Sequence, residues 1–128
     1  MTAKAKFTAG FALLAAALPL LAHHSFVAEY DPNGSVTLKG AVTKLEWTNP
    51  HIYYYVDVKE DNGAVVSWAV EGYPPNTLRR TGVTREMFKP GDEIAVTGWK
   101  ARDGSKRVAS REVTFADGKK AFTGPPAQ

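Results

Sequence analysis

The polar and apolar positions change period twice along this chain. Phe7 to Leu21 is almost wholly apolar behind Lys4 and Lys6, and Ala22 is a small residue after Pro19. A positive start, an apolar run of about 15 residues and a small residue at the cut predict a signal peptide over residues 1–22. The run is short for a permanent span, which needs about 20 residues, so no membrane span is expected after cleavage. Residues 23–35 read as an extended lead-in in which Asp31-Pro32-Asn33-Gly34 carries turn chemistry.

From Val36 the pattern is β. Val36, Leu38 and Val42 share one face of a long strand to Trp47, with Gly40 where a bend or bulge belongs. Asn49-Pro50 ends that strand, and Ile52 to Lys59 forms the second. Asp61-Asn62-Gly63 turns into a third, Ala64 to Glu71. Ile52, Tyr54, Val56 and Val58 then face the same way as Val66, Trp68 and Val70. A short helix follows Pro74-Pro75, with Asn76 as its N-cap and Gly82 as its stop, and Thr84 to Phe88 adds one more turn. Lys89-Pro90-Gly91-Asp92 returns the chain to β for Glu93 to Lys100 and Lys106 to Phe115. Three strands, a helix and two strands is the order of the OB-fold. The expected architecture is therefore all-β with one short helix, a five-stranded OB-like Greek-key barrel over residues 36–117. Residues 118–128, with Gly124-Pro125-Pro126, read as a flexible tail.

Composition narrows the chemistry. The chain has no cysteine, so disulfides and thiolate sites are excluded. Removing 22 of the 128 residues leaves 106, one domain. The formal charge of +3 falls to about +1 when Lys4 and Lys6 leave, with 14 basic residues facing 13 acidic ones. A near-neutral balance points away from nucleic acid, which usually needs a clustered basic face. The Arg79-Arg80 pair reads as a solvated helix face. An exported chain belongs in the periplasm or outside the cell.

The three histidines are unevenly placed: His23 and His24 at the expected mature terminus, and His51 just after Asn49-Pro50. A terminal His23 offers its amine and imidazole as a chelate, and His24 or His51 supplies further nitrogen. Nitrogen donors in a plane suit Cu(II), so His23, His24 and His51 are the candidate metal ligands and copper the candidate cofactor. The same histidines also fit a simple tail and a strand cap. Glu29, Asp31 and Glu46 are carboxylates within reach of such a site.

A second surface competes with it. His51, Tyr53, Tyr55 and Asp57 alternate with the apolar set of strand two, beside Ser67, Ala69 and Glu71 of strand three. This is the usual ligand face of OB-folds, so Trp47, Tyr53, Tyr55 and Glu71 are candidates for contacting a glycan, a peptide or a periplasmic protein partner, with a core edge as the other place for Trp47. Strands favour tyrosine in any case. No G-x-S-x-G elbow, P-loop, dinucleotide fingerprint or H-E-x-x-H is present, so an enzyme is the less favoured class.

Ala22-His23-His24-Ser25-Phe26, Glu29-Tyr30-Asp31, Glu46-Trp47-Thr48-Asn49-Pro50-His51, Leu78-Arg79-Arg80 and Lys89-Pro90-Gly91-Asp92 together resemble a family of short exported bacterial proteins of unknown function. The resemblance implies export and a small β-rich fold, and brings no activity or ligand with it.

Overall fold

The computed structural model describes residues 26–125. The expected signal peptide, His23 and His24 lie outside them. After a helical stretch at residues 26–29, the strands are β1 (Tyr30–Glu46), β2 (Tyr53–Lys59) and β3 (Val65–Glu71). Helix α1 (Pro75–Arg80) and a 3-10 turn (Arg85–Met87) follow, then β4 (Glu93–Ala101), β5 (Arg107–Thr114) and β6 (Lys120–Phe122).

The sheet runs β3-β2-β1-β4-β5-β6, and a parallel pairing of β3 with β5 closes it into a barrel. This is the OB-like arrangement expected from the element order, with all other neighbours antiparallel. β1 serves both halves of the barrel. Its residues from Tyr30 to Ala41 pair with β4, and those from Ala41 to Glu46 pair with β2. Gly40 stands at that changeover. A Cβ there would lie 2.1 Å from the Asp57 carbonyl oxygen, so the two strands approach more closely than a side chain permits.

The alternation in β2 and β3 holds. Ile52, Tyr54, Val56, Trp68 and Val70 are all buried. α1 and the 3-10 turn add Leu78, Val83 and Phe88 to this core. The Phe88 ring lies 4.8 Å from Tyr54 and 5.2 Å from Phe115, between centroids. A second cluster sits apart from the interior: Tyr30, Trp99, Ala101 and Ala109, with Phe26 packed on it.

Four expectations are corrected. The lead-in does not extend to residue 35, because β1 begins at Tyr30. The Asp31–Gly34 turn chemistry is absorbed as an irregularity in that strand: the register shifts between Tyr30 and Ser35, and Asp31 Oδ1 accepts from Asn33 N at 2.9 Å. Asn76 is not the N-cap; Pro74 is, and Asn76 Oδ1 instead accepts from Arg79 at 3.3 Å. Gly82 does mark the stop, with φ at 83°.

The tail is also structured through β6, giving six strands rather than five. Thr123 is fully buried and bonds through its backbone to Arg111 and Tyr73. Its hydroxyl pairs with Ser110, which meets Tyr54 Oη at 3.0 Å. Gly124 permits this passage, since a Cβ there would fall 1.6 Å from the Ser110 carbonyl oxygen.

Burial holds the Tyr54 phenol well above its ordinary 10.0, only partly offset by the hydroxyls of Ser110 and Thr123. The unfolded chain releases that proton near pH 10 while the folded chain keeps it. The stabilisation is thus complete below pH 10 and is lost as pH rises beyond it. Tyr54→Phe removes this contribution to the alkaline fall. Ser110 and Thr123 remain paired, so the variant is expected to cost about 1 kcal/mol at neutral pH. Urea unfolding at neutral and alkaline pH measures both effects.

Candidate functional site

On the outward side of β2 and β3, cross-strand pairing puts Tyr53 opposite Glu71, while parallel pairing puts Glu71 opposite Ala109 of β5. Glu71 is the centre of the arrangement. Its Oε1 lies 2.6 Å from His51 Nδ1, and its Oε2 accepts from Tyr30 Oη. The Glu71 side chain is 15% exposed, whereas that of His51 is 45% exposed. Donation from Nδ1 leaves Nε2 of the neutral ring with a lone pair.

Two phenols border the carboxylate. Burial first, and then hydrogen bonding to Glu71 and its negative charge, push the Tyr30 phenol far above its ordinary value, so at neutral pH it is a donor. Tyr53 is lifted to about 12, by burial first and then by the charge of Glu71. The Arg107 guanidinium lies 5.5 Å from the Tyr30 ring centroid and opposes both shifts. Its Nε is buried with no hydrogen-bond partner among the described residues.

Tyr30 arrives here because the segment before it is fastened to the barrel. The Phe26 ring lies 5.5 Å from Tyr30 and 5.8 Å from Trp99, edge-on to the latter. Arg102 Nε donates to the Val27 carbonyl at 2.6 Å, and the Arg102 amide donates to that of Glu29 at 2.9 Å. The chain leading back to His24 therefore starts beside Tyr30.

Of the expected face, Tyr53 and Glu71 come together with His51. Tyr55 belongs to a neighbouring group: its hydroxyl donates to Glu46 at 3.4 Å, and Lys44 Nζ stands 5.4 Å from its ring centroid. Lys44 also pairs with Glu46 at 2.8 Å, which holds the Glu46 carboxyl below its usual range. Trp47 does not share this surface. It packs on the core, 6.3 Å from Phe88, because the strand alternation is broken beyond Glu46. Asp31 is occupied in its own turn.

Tyr30 and Arg107 were not anticipated. Tyr30 had a signal in the Glu29-Tyr30-Asp31 run, whereas Arg107 follows an ordinary turn and offered none. Among the described residues no group of three or more His, Cys, Asp or Glu side chains could hold a metal ion, and no helix is long and apolar enough to cross a membrane.

No curated protein matches this chain. Among solved structures, the chain is similar to the mitochondrial single-stranded DNA-binding protein Rim1 of S. cerevisiae. The TM-score is 0.47 at 11% identity, over 71% of this chain and 97% of that one. That protein is named for binding single-stranded DNA, and the exclusion of nucleic acid drawn from net charge alone does not stand. Net charge averages over the whole surface and does not report a local one. The likeness itself assigns no ligand here. An OB-like barrel with a polar outer face is consistent with a binding module. The family resemblance holds as well: the model of a family of unknown function, DUF6152, matches residues 12–110, and the chain belongs to that family.

Proposed function

We propose that this is an exported copper-binding protein in which His51 shares one ion with the His23-His24 terminus. The observation that carries this reading is the 2.6 Å approach of Glu71 Oε1 to His51 Nδ1. Histidines that ligate metals commonly donate their other ring N–H to a carboxylate, which sets the tautomer and raises ligand basicity. With Nδ1 so engaged, Nε2 is the ring nitrogen left as a donor to metal on this half-exposed side chain. Cleavage after Ala22 supplies the remaining donors, the amine and imidazole of His23 with His24 beside them. Only two residues lie between His23 and the anchored Phe26, and those three residue steps reach about 10 Å in extended chain. Nitrogen donors without thiolate favour Cu(II) over the softer Cu(I).

Intact mass of the exported protein and Cu(II) titration against a competing chelator test the proposal together. The expected result is a chain starting at His23 that holds one copper per molecule. A different terminus, or copper held no more tightly than by a His-His peptide, would remove the reading.

A second reading rests on the adjacent outward positions of Tyr53 and Tyr55. In it the barrel binds a glycan or an envelope peptide without metal, the tyrosines giving amphipathic contacts. Tyr55→Ala would then abolish binding to immobilised cell-envelope glycan while His51→Ala would not.

A further inference from the structure

We infer that a row of side chains crossing β1, β2, β3 and β5 on the outside of the barrel is a platform for an acidic glycan, a sugar chain that carries carboxylates. The inference rests on the metal-free reading above and names the sugar chemistry that it leaves open. Strand pairing sets the row. Lys44 of β1 stands opposite Tyr55 of β2, Tyr55 opposite Ala69 of β3, and Ala69 opposite Arg107 of β5. Cross-strand partners share a face of the sheet, so the four residues form one line. Neighbouring strands lie about 4.8 Å apart, which separates the two cations by roughly 14 Å across the sheet. That is a span of a few sugar rings.

Each position supplies something such a ligand needs. Tyr55 is half-buried, and its ring can take the apolar C–H face of a sugar. Ala69 is small, so the floor between Tyr55 and Arg107 is low. The two ends are charged and reachable: the Lys44 side chain is 62% exposed and that of Arg107 33%. Lys44 Nζ stands 5.4 Å from the Tyr55 ring centroid and pairs with Glu46, and its ammonium has further donors for a ligand carboxylate. The Arg107 guanidinium carries five N–H donors, and its ion pair with Asp103 is only at 4.0 Å.

The next row along the strands has the opposite charge, with Glu46 and Glu71 on either side of Tyr53. Sugar hydroxyls donate as well as accept. A glycan lying along the first row turns hydroxyls toward these glutamates while its own carboxylates meet Lys44 and Arg107. A DNA backbone would satisfy the cations and offer the glutamates no donor. The change of charge between the two rows therefore favours the acidic glycan.

Affinity electrophoresis of the protein tests this, in gels holding polygalacturonate, its fully methyl-esterified form or dextran, with oligo(dT) as competitor. Polygalacturonate should retard the protein more than its ester, which has the same rings without the charge. Lys44→Gln and Arg107→Gln should each weaken that retardation about fivefold, the scale of one exposed charge pair. Ala69→Gln raises the floor without changing charge and should weaken it too. Lys44→Gln alone decides the charge requirement if Arg107→Gln does not fold, because Lys44 is an exposed side chain. Equal retardation by acid and ester, lost in Tyr55→Ala, overturns the acidic preference and leaves the glycan reading standing. Displacement by oligo(dT) at equal charge marks a general polyanion surface and overturns the inference. So does full binding by Lys44→Gln and Ala69→Gln, or no retardation of the wild type by polygalacturonate. The glycan reading itself falls only if immobilised cell-envelope glycan is not bound either.

Discussion

His51→Ala is expected to weaken Cu(II) binding by about 100-fold, at the upper end of what even an outer-shell change costs, and to leave the fold intact. The two halves of this expectation have separate causes. In the proposed site the imidazole would contribute a nitrogen donor whose ring is held by Glu71, 2.6 Å from its Nδ1. Without it, the proposed site would keep only the donors of His23 and His24. Stability should change little, since the His51 side chain is 45% exposed and lies outside both apolar clusters. Surface changes of this kind stay within about 0.5 kcal/mol. Glu71 keeps its Tyr30 donor and is open enough to take water on the other oxygen. Chelator competition and thermal unfolding of the metal-free protein, measured side by side, check both. Equal copper affinity in the two proteins would remove His51 from the site.

Gly40→Ala should do the reverse, damaging the barrel without touching the chemistry. The added methyl carbon would sit 2.1 Å from the Asp57 carbonyl oxygen and 3.0 Å from Val56 Cγ1. The obstructing atom is backbone in a paired strand, so it cannot swing aside as a flexible side chain would. β1 and β2 must separate where β1 passes from one half of the barrel to the other. Overpacking of this kind costs about 3 kcal/mol, which for a domain of this size lowers Tm by roughly 15 °C. Gly63 is the control: its φ is 84° but a Cβ there meets nothing within 4 Å. Gly63→Ala should therefore cost less, through backbone strain alone. Unfolding midpoints for the two variants compare the crowding with the strain, and a smaller loss at Gly40 would contradict the close approach.

The two variants also separate what the chain declares locally from what it conceals. The apolar alternation of Ile52, Tyr54, Val56 and Val58 with Val66, Trp68 and Val70 is a period-two signal, and these positions do face the interior. The helix between β3 and β4 was legible for a similar reason: Pro74-Pro75 and Gly82 are local punctuation. Together these signals determined the strand order, and the strand order determined the barrel. His51 and the Tyr53 and Glu71 face were legible too, because alternation assigns each residue to a side without reference to distant ones. The family resemblance was likewise carried by residues contiguous in sequence.

What lay beyond the sequence depends on contacts between distant residues. Tyr30 and Glu71 are 41 positions apart and meet only because the lead-in runs along β4 and β3 pairs with β5. Trp47 stands open between core edge and ligand face in the sequence because the alternation lapses after Glu46, and its side is set by the space beside Phe88. The C-terminal residues looked frayed because glycine and proline carry little local preference for order. Within the described residues, Thr123 is held by Ser110, Arg111 and Tyr73, whose hydroxyl and backbone groups need partners once buried. The sequence by itself determined which residues line the interior and in what order the elements come, since those follow from short-range periodicity. Only the tertiary structure decided that Glu71 joins Tyr30 to His51, because barrel closure brings these three residues together and no local pattern encodes it.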